Sequence, residues 1–256
     1  MKARWPIALL VLAAWPAAGT ARSPKLSLTA TAVAPADKAG VQTIGEGAYF
    51  YRPAGGPGGR RPLLLLLHGA GMSASGFIEG ARAEADRCGC LLLSVQSKGP
   101  TWDTVRMVRR ASLDGVSDVY RLFGADTDRI EAALSTALGA SDADARSVLL
   151  VGFSDGASFA LSLGLANRSI FRGIVAIAPG LYVEPSPTGS KQRLFIAHSP
   201  ADRVLPFERT RNDIVAPLKR AGFDLRFRSF EGGHAVVPSV LAEGVDYALQ
   251  RGTAEE

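Results

Sequence analysis

Few residues in this chain of 256 combine the types and the placement that bond-making chemistry needs. The foremost is Ser154, in Gly152-Phe153-Ser154-Asp155-Gly156, with the apolar run Val148 to Val151 before it and Ala157 with a helical stretch after it. A strand that turns sharply into a helix can lift one serine above a sheet only if its neighbours lack bulk, and Gly152, Gly156 and Ala157 meet that condition. A helix starting beneath the serine also favours negative charge there. The motif is short enough to recur by chance, so its weight comes from this strand–turn–helix setting.

A serine hydroxyl needs a base, and the chain has three histidines, His68, His198 and His234. Where a nucleophilic serine sits on this kind of elbow, the order along the chain is serine, acid, histidine. Ser154, Asp202 and His234 fit that order, each at the end of a strand. Asp202 competes with Asp155, Glu208, Asp213 and Glu231 for the acid's role, but it alone lies in a loop just after one strand and before the strand that leads to His234. Its task would be to fix the His234 tautomer and stabilise the imidazolium. His68 and His198 are read as strand-end residues that hold loops through hydrogen bonds. For the developing oxyanion, the loop His68-Gly69-Ala70-Gly71 offers the Ala70 N–H, with Gly71 as the near alternative, and the Asp155 N–H follows the nucleophile directly. Trp102 is expected to face substrate. No H-E-x-x-H and no cluster of Cys and His at ligand spacing is present, so neither a metal nor another cofactor is expected.

The elements that must position these groups alternate. Strand candidates are 41–51, 62–68, 90–95, 147–153, 173–178, 193–198 and 224–230, most of them apolar throughout and therefore buried on both faces. Helical segments fall at 76–87, 113–123, 128–138, 154–167, 207–221 and 237–250. Strand and helix in alternation imply right-handed crossovers and a mostly parallel sheet covered on both sides, with ligands at the carboxyl ends of the strands.

Hydrophobic residues make up 47% of the chain and charged residues 21%, which suits a globular protein with a large core. Residues 1–21 read as a secretory signal: Lys2 and Arg4 form a basic start, Ile7 to Ala14 an apolar run too short to span a bilayer, and Ala17, Gly19 and Ala21 a small-residue cleavage region. Export to the periplasm or medium is expected, with no membrane span after the leader is removed. Beyond the leader, 27 basic residues face 24 acidic ones, too slight and scattered an excess for nucleic acid. Residues 22–40, rich in Ala, Pro, Ser and Thr, read as a flexible connector adding little to the core, and residues 41–256 as one domain. Cys88 and Cys90, one residue apart, read as buried free thiols.

The ordered set LHGAG (67–71), SKGPTWD (97–103), GFSDGAS (152–158), HSPADRVLP (198–206) and FEGGHAVVP (230–238) resembles the phospholipase/carboxylesterase family of α/β hydrolases, which includes the acyl-protein thioesterases and related small bacterial esterases. The likeness runs from about Pro62 to Gln250. It implies an α/β-hydrolase fold without a lid domain, with Ser154, Asp202 and His234 as the triad, cleaving carboxylic esters or thioesters through an acyl-enzyme. His198-Ser199 stands where the family commonly has H-G. The segment 179–192 has loop length, in keeping with a lidless rim. An exported enzyme acting on polymer-linked esters, such as a depolymerase or feruloyl-type esterase, is the alternative within this class. A binding module without activity is the alternative outside it.

Overall fold

The computed structural model describes residues 25–29, 36–56, 58–106, 108, 123–183 and 192–250. The leader, most of the helix expected over 113–123 and residues 184–191 of the 179–192 loop lie outside the described residues. Eight strands form one sheet: β1 (Gly40–Gly45), β2 (Ala48–Arg52), β3 (Arg61–Leu67), β4 (Leu91–Val95), β5 (Ala143–Phe153), β6 (Phe171–Ile177), β7 (Arg193–His198) and β8 (Asp224–Ser229). Their spatial order is β1-β2-β4-β3-β5-β6-β7-β8. The β1–β2 and β2–β4 pairs are antiparallel and the rest parallel.

The leucine run of β3 shows why the apolar strands end up central. Leu63, Leu65 and Leu67 point into one core, while Leu64 and Leu66 point into the other, on the opposite face. The same alternation continues through Val148 and Leu150 against Leu149 and Val151 on β5. A side chain of this kind stabilises by about 1.5–3 kcal/mol when fully buried, and a continuous apolar run collects that gain on both faces. Helices α1 (Ala74–Cys88) and α5 (Pro238–Leu249) cover one face, Leu241 and Val245 meeting Ile78 and Ala81 in its core. The other face is covered by α2 (Ala125–Ala140), α3 (Asp155–Ala166) and α4. This last helix starts as Phe207–Arg209, widens into a π-helical stretch over Thr210–Val215 and ends as Ala216–Arg220.

The chain runs from β3 outward to β4 on one side and then crosses back to β5 on the other. The crevice at the carboxyl ends of β3 and β5 is therefore a topological switch point, where open α/β sheets bind ligands. Leu67 of β3 pairs with Gly152 of β5, which sets the 68–71 loop beside Ser154.

Three expectations need correction. The single strand over 41–51 is a hairpin, with Glu46 and Gly47 as the turn between β1 and β2. The 22–40 connector contributes to the core where it is described: Leu26 and Ala36 are buried, the Leu26 N–H donates to Asn167 Oδ1 at 2.8 Å, and the Ala36 N–H donates to Ala140 O at 2.7 Å. Cys88 and Cys90 are joined in a disulfide, not free. Gly89, the left-handed C-cap of α1 at φ 65°, folds the chain back between them and leaves their Cα atoms 5.2 Å apart, within bridging range.

Candidate active site

The β5–α3 turn brings Ser154 to the crevice in an unusual backbone state, φ 56° and ψ −119°. A non-glycine residue there stores roughly 1–3 kcal/mol of strain, held by its surroundings. Those surroundings are visible. The Ser154 N–H donates to Ile177 O at 2.9 Å, and the turn is so tight that a Cβ on Gly156 would sit 2.0 Å from Leu67 O and one on Gly152 2.4 Å from Gly156 O. Glycine at both places is what lets the elbow close onto β3.

Ser154, His234 and Asp202, separated by as many as 80 positions, form one hydrogen-bonded chain. Ser154 Oγ donates to His234 Nε2 at 2.9 Å, and His234 Nδ1–H donates to Asp202 Oδ2 at 2.7 Å. The Asp202 side chain is fully buried, whereas that of His234 keeps 17% of its surface exposed, beside the cleft. The other acids do not compete: Asp155 Oδ2 accepts from Thr101 Oγ1 at 2.6 Å, and Glu208, Asp213 and Glu231 face solvent. Burial by itself would raise the Asp202 pKa. The hydrogen bond from His234 and the Leu205 and Val204 N–H groups on Oδ1 outweigh it and hold the carboxyl below its usual range. A stable anion next to the imidazole is what favours proton transfer from the serine.

Of the two loop donors, the Gly71 N–H is engaged with Pro100 O at 2.8 Å, which leaves Ala70. That residue is exposed, and no acceptor for its N–H is found among the described residues. Asp155 opens α3 directly after Ser154. His68 holds the loop as expected: its Nδ1–H donates to Gly69 O at 2.8 Å, while Nε2 accepts from the Gln96 side chain and the Ser97 N–H. Burial lowers its pKa and favours this neutral tautomer.

Trp102 differs from expectation. It is wholly buried, its indole N–H donates to His68 O at 2.8 Å, and its ring stacks on Phe159 at 5.0 Å. It props the 68–71 loop from beneath and offers substrate no surface. The cleft beside the site, about 660 Å³, is lined instead by Met72, Phe77, Phe153, Val236 and Leu241 together with His234. Phe153 packs on the His234 ring at 4.8 Å between centroids.

Two contributors escaped the sequence. Ser199, at the position where H-G is common, accepts the Gly233 N–H at 3.1 Å and the Ala201 N–H at 3.2 Å, tying the loop that carries His234 to the loop that carries Asp202. His198, beyond holding its loop, reaches Asp202 itself, Nε2 to Oδ2 at 2.9 Å. The four-residue spacing in His198-Ser199-Pro200-Ala201-Asp202 is the only linear trace of that contact.

This sheet order, with a serine elbow after β5, an acid after β7 and a histidine after β8, defines an α/β-hydrolase architecture. The chain belongs to the alpha/beta hydrolase family, whose model matches residues 64–254, and its relatives are of the carboxylesterase type. It is 31% identical over 153 residues to "Putative esterase NocK" of Nocardia uniformis subsp. tsuyamanensis, covering 58% of this chain and 42% of that protein. It is 29% identical over 105 residues to acyl-protein thioesterase 1 of Gibberella zeae, covering 38% and 44%. The matches thus span less than half the length of these curated relatives. Among solved structures, esterase PE8 superposes with a TM-score of 0.58 at 19% identity, over 74% of this chain and 92% of that one, a likeness of fold.

Proposed function

We propose that the protein is a carboxylic ester hydrolase working through an acyl-enzyme, and the hydrogen-bonded chain Ser154–His234–Asp202 on a strained elbow is the observation that carries this reading. Ser154 Oγ attacks the ester carbonyl carbon as His234 Nε2 takes its proton, giving a tetrahedral oxyanion that the Ala70 and Asp155 N–H groups stabilise. The intermediate collapses, His234 gives its proton to the departing alcohol, and the acyl group remains on Ser154. Water, activated by the same imidazole, then releases the acid. Asp202 keeps Nδ1 protonated and balances the imidazolium. The relatives' names support esters and thioesters alike, and the apolar cleft beside His234 supports a substrate with a compact apolar group. The polymer-ester alternative rests on export and on a Trp102 side chain beside the site, and the burial of Trp102 removes the second of these supports.

The protein is exported in this reading. Residues 1–21 have the layout of a leader, and the Cys88–Cys90 disulfide suits an oxidising compartment. Among the described residues no helix is long and apolar enough to cross a membrane. Fractionation with N-terminal sequencing should place the mature protein outside the cytoplasm with the leader removed; a cytoplasmic chain starting at Met1 would refute this.

An organophosphonate probe should label the wild-type protein and spare Ser154→Ala, and a series of esters of increasing acyl length should then define the preferred group. Equal labelling of both proteins would refute the reading.

A further inference from the structure

His198 is wholly buried at the end of β7, and its ring nitrogens have well-defined partners. Nε2 lies 2.9 Å from Asp202 Oδ2 and 3.1 Å from Leu205 O. Both offer only lone pairs, so Nε2 must carry a hydrogen. Nδ1 lies 2.8 Å from Oγ1 of Thr210, the residue that opens the π-helical stretch of α4, and this hydroxyl donates to Pro179 O at 2.6 Å. It is the two acceptors on Nε2 that disfavour the tautomer that would turn a lone pair onto the carboxylate. π-helical stretches often mark functional places, and here one sets a hydroxyl against a histidine that touches the proposed acid.

Asp202 Oδ2 thus accepts from two imidazoles, His234 at 2.7 Å and His198 at 2.9 Å, while Oδ1 accepts the Val204 and Leu205 N–H groups at 2.8 and 2.9 Å. We propose that His198 is a positioning residue for the hydrolysis: as second donor on Asp202 Oδ2, it fixes the plane of the carboxylate and draws off part of the oxygen's hydrogen-bonding capacity, so that His234 is held in line without being made too basic. The proposal rests on the hydrolase reading for its kinetic consequence but not for its geometry. The titratable groups that reach His198 are Asp202, from the loop after β7, and His234, from the loop after β8. Arg203 on the former loop, Glu208, Arg209 and Arg211 on α4, and Arg228 and Glu231 at the end of β8 all face solvent. Burial keeps the ring below the ordinary histidine range against the pull of Asp202, so the second donor is neutral at neutral pH and does not cancel the charge that His234 needs.

Two replacements separate this role from mere space filling. In His198→Asn the amide falls near the old Nδ1, keeping a hydrogen bond with the Thr210 hydroxyl and losing the donor to Asp202. In His198→Gln the amide nitrogen reaches the old Nε2 position and restores that donor. We expect His198→Asn to lower kcat about tenfold with KM unchanged, as for lost hydrogen bonds behind a ligating group. The acid limb of its kcat/KM profile should move up by about half a pH unit, because a carboxylate relieved of one donor holds the imidazolium more tightly. His198→Gln should return the limb to its wild-type position. An acid limb that stays put in His198→Asn, whatever happens to kcat, would overturn the proposal, and so would a limb displaced equally in both variants.

Imidazole 15N spectra provide a test without substrate. Wild-type His198 should be the Nε2–H tautomer, and the His234 Nδ1 proton should move downfield in His198→Asn. A wild-type Nδ1–H tautomer would overturn the proposal even if neither variant folds. If instead the spectra agree while no ester is turned over, the hydrolase reading fails and the hydrogen-bond role of His198 stands.

Discussion

Ser154, His234 and Asp202 are joined by hydrogen bonds and act as one unit in the proposed mechanism, and the first predictions belong to them. Ser154→Ala and His234→Ala should each remove about six orders of magnitude from kcat, and the double variant should be scarcely worse, since one missing member disables the unit. Asp202→Asn should lose about 10⁴ in kcat if the coupling matches other serine enzymes, because an amide can stabilise the wrong His234 tautomer. The same substitution reports on stability. A carboxyl with a lowered folded-state pKa contributes stability that is present above its unfolded value of 3.8 and is lost as pH falls through the folded one. Melting curves from pH 5 down to 2 should therefore fall more steeply for wild type than for Asp202→Asn. The strain at Ser154 gives a further comparison: Ser154→Gly should be more stable than Ser154→Ala in urea, by about 1 kcal/mol, because glycine adopts φ 56° freely. The three residues were legible in the sequence because a fixed order along the chain constrains them. His198 and Ser199 were not, since their roles arise only where β7 and β8 lie side by side and bring two loops together.

At the scale of elements, closeness matters more than composition. Gly156→Ala would drive a methyl group to within 2.0 Å of Leu67 O, so β3 and α3 would have to part. A loss of about 3 kcal/mol or more in denaturant unfolding is expected, with hydrolysis falling too as the loop at 68–71 shifts away from Ser154. The contact between Asp103 and the start of α2 carries its own pH dependence. Asp103 and Asp126 accept each other's N–H groups, and burial, reinforced by the Asp126 charge, raises the Asp103 pKa to about 6. The folded protein therefore keeps a proton that the unfolded chain gives up. Relative to Asp103→Asn, whose amide stands in for the protonated acid, wild type should lose stability as pH rises from 3.8 to about 6. Most strands could be read directly because runs such as Leu63 to Leu67 are buried on both faces. The β1–β2 hairpin was obscured by a short turn inside a continuous β-like stretch. The docking of 25–29 had no periodic signal, because it depends on main-chain bonds to Asn167 and Glu131.

For the whole molecule, the question is how substrate reaches the switch point. The cleft between α1 and the loop after β8 runs up to His234 and is mostly apolar, and only residues 178–192 connect β6 to β7, a loop's length with no room for a cap domain at that place. Soluble short-chain esters should follow hyperbolic kinetics, with no jump in rate as substrate passes its micellar limit. A sharp increase there would mean that a gate opens at interfaces.

The hydrogen bond between Ser154 and His234 spans 80 positions, and this separation has a consequence in time. A ribosome adding about 5–20 residues per second releases the elbow several seconds before the last strand and its loop exist. During that interval Ser154 lacks the imidazole it is hydrogen-bonded to, and α5, which helps close one face of the sheet, has yet to be made. A nascent chain halted anywhere before His234 should be inert toward an ester-type probe, so the appearance of labelling marks the moment when the final strand has docked. Any truncation or split of the chain that separates β5 from β8 should behave as a switchable pair, silent apart and active only on reassembly.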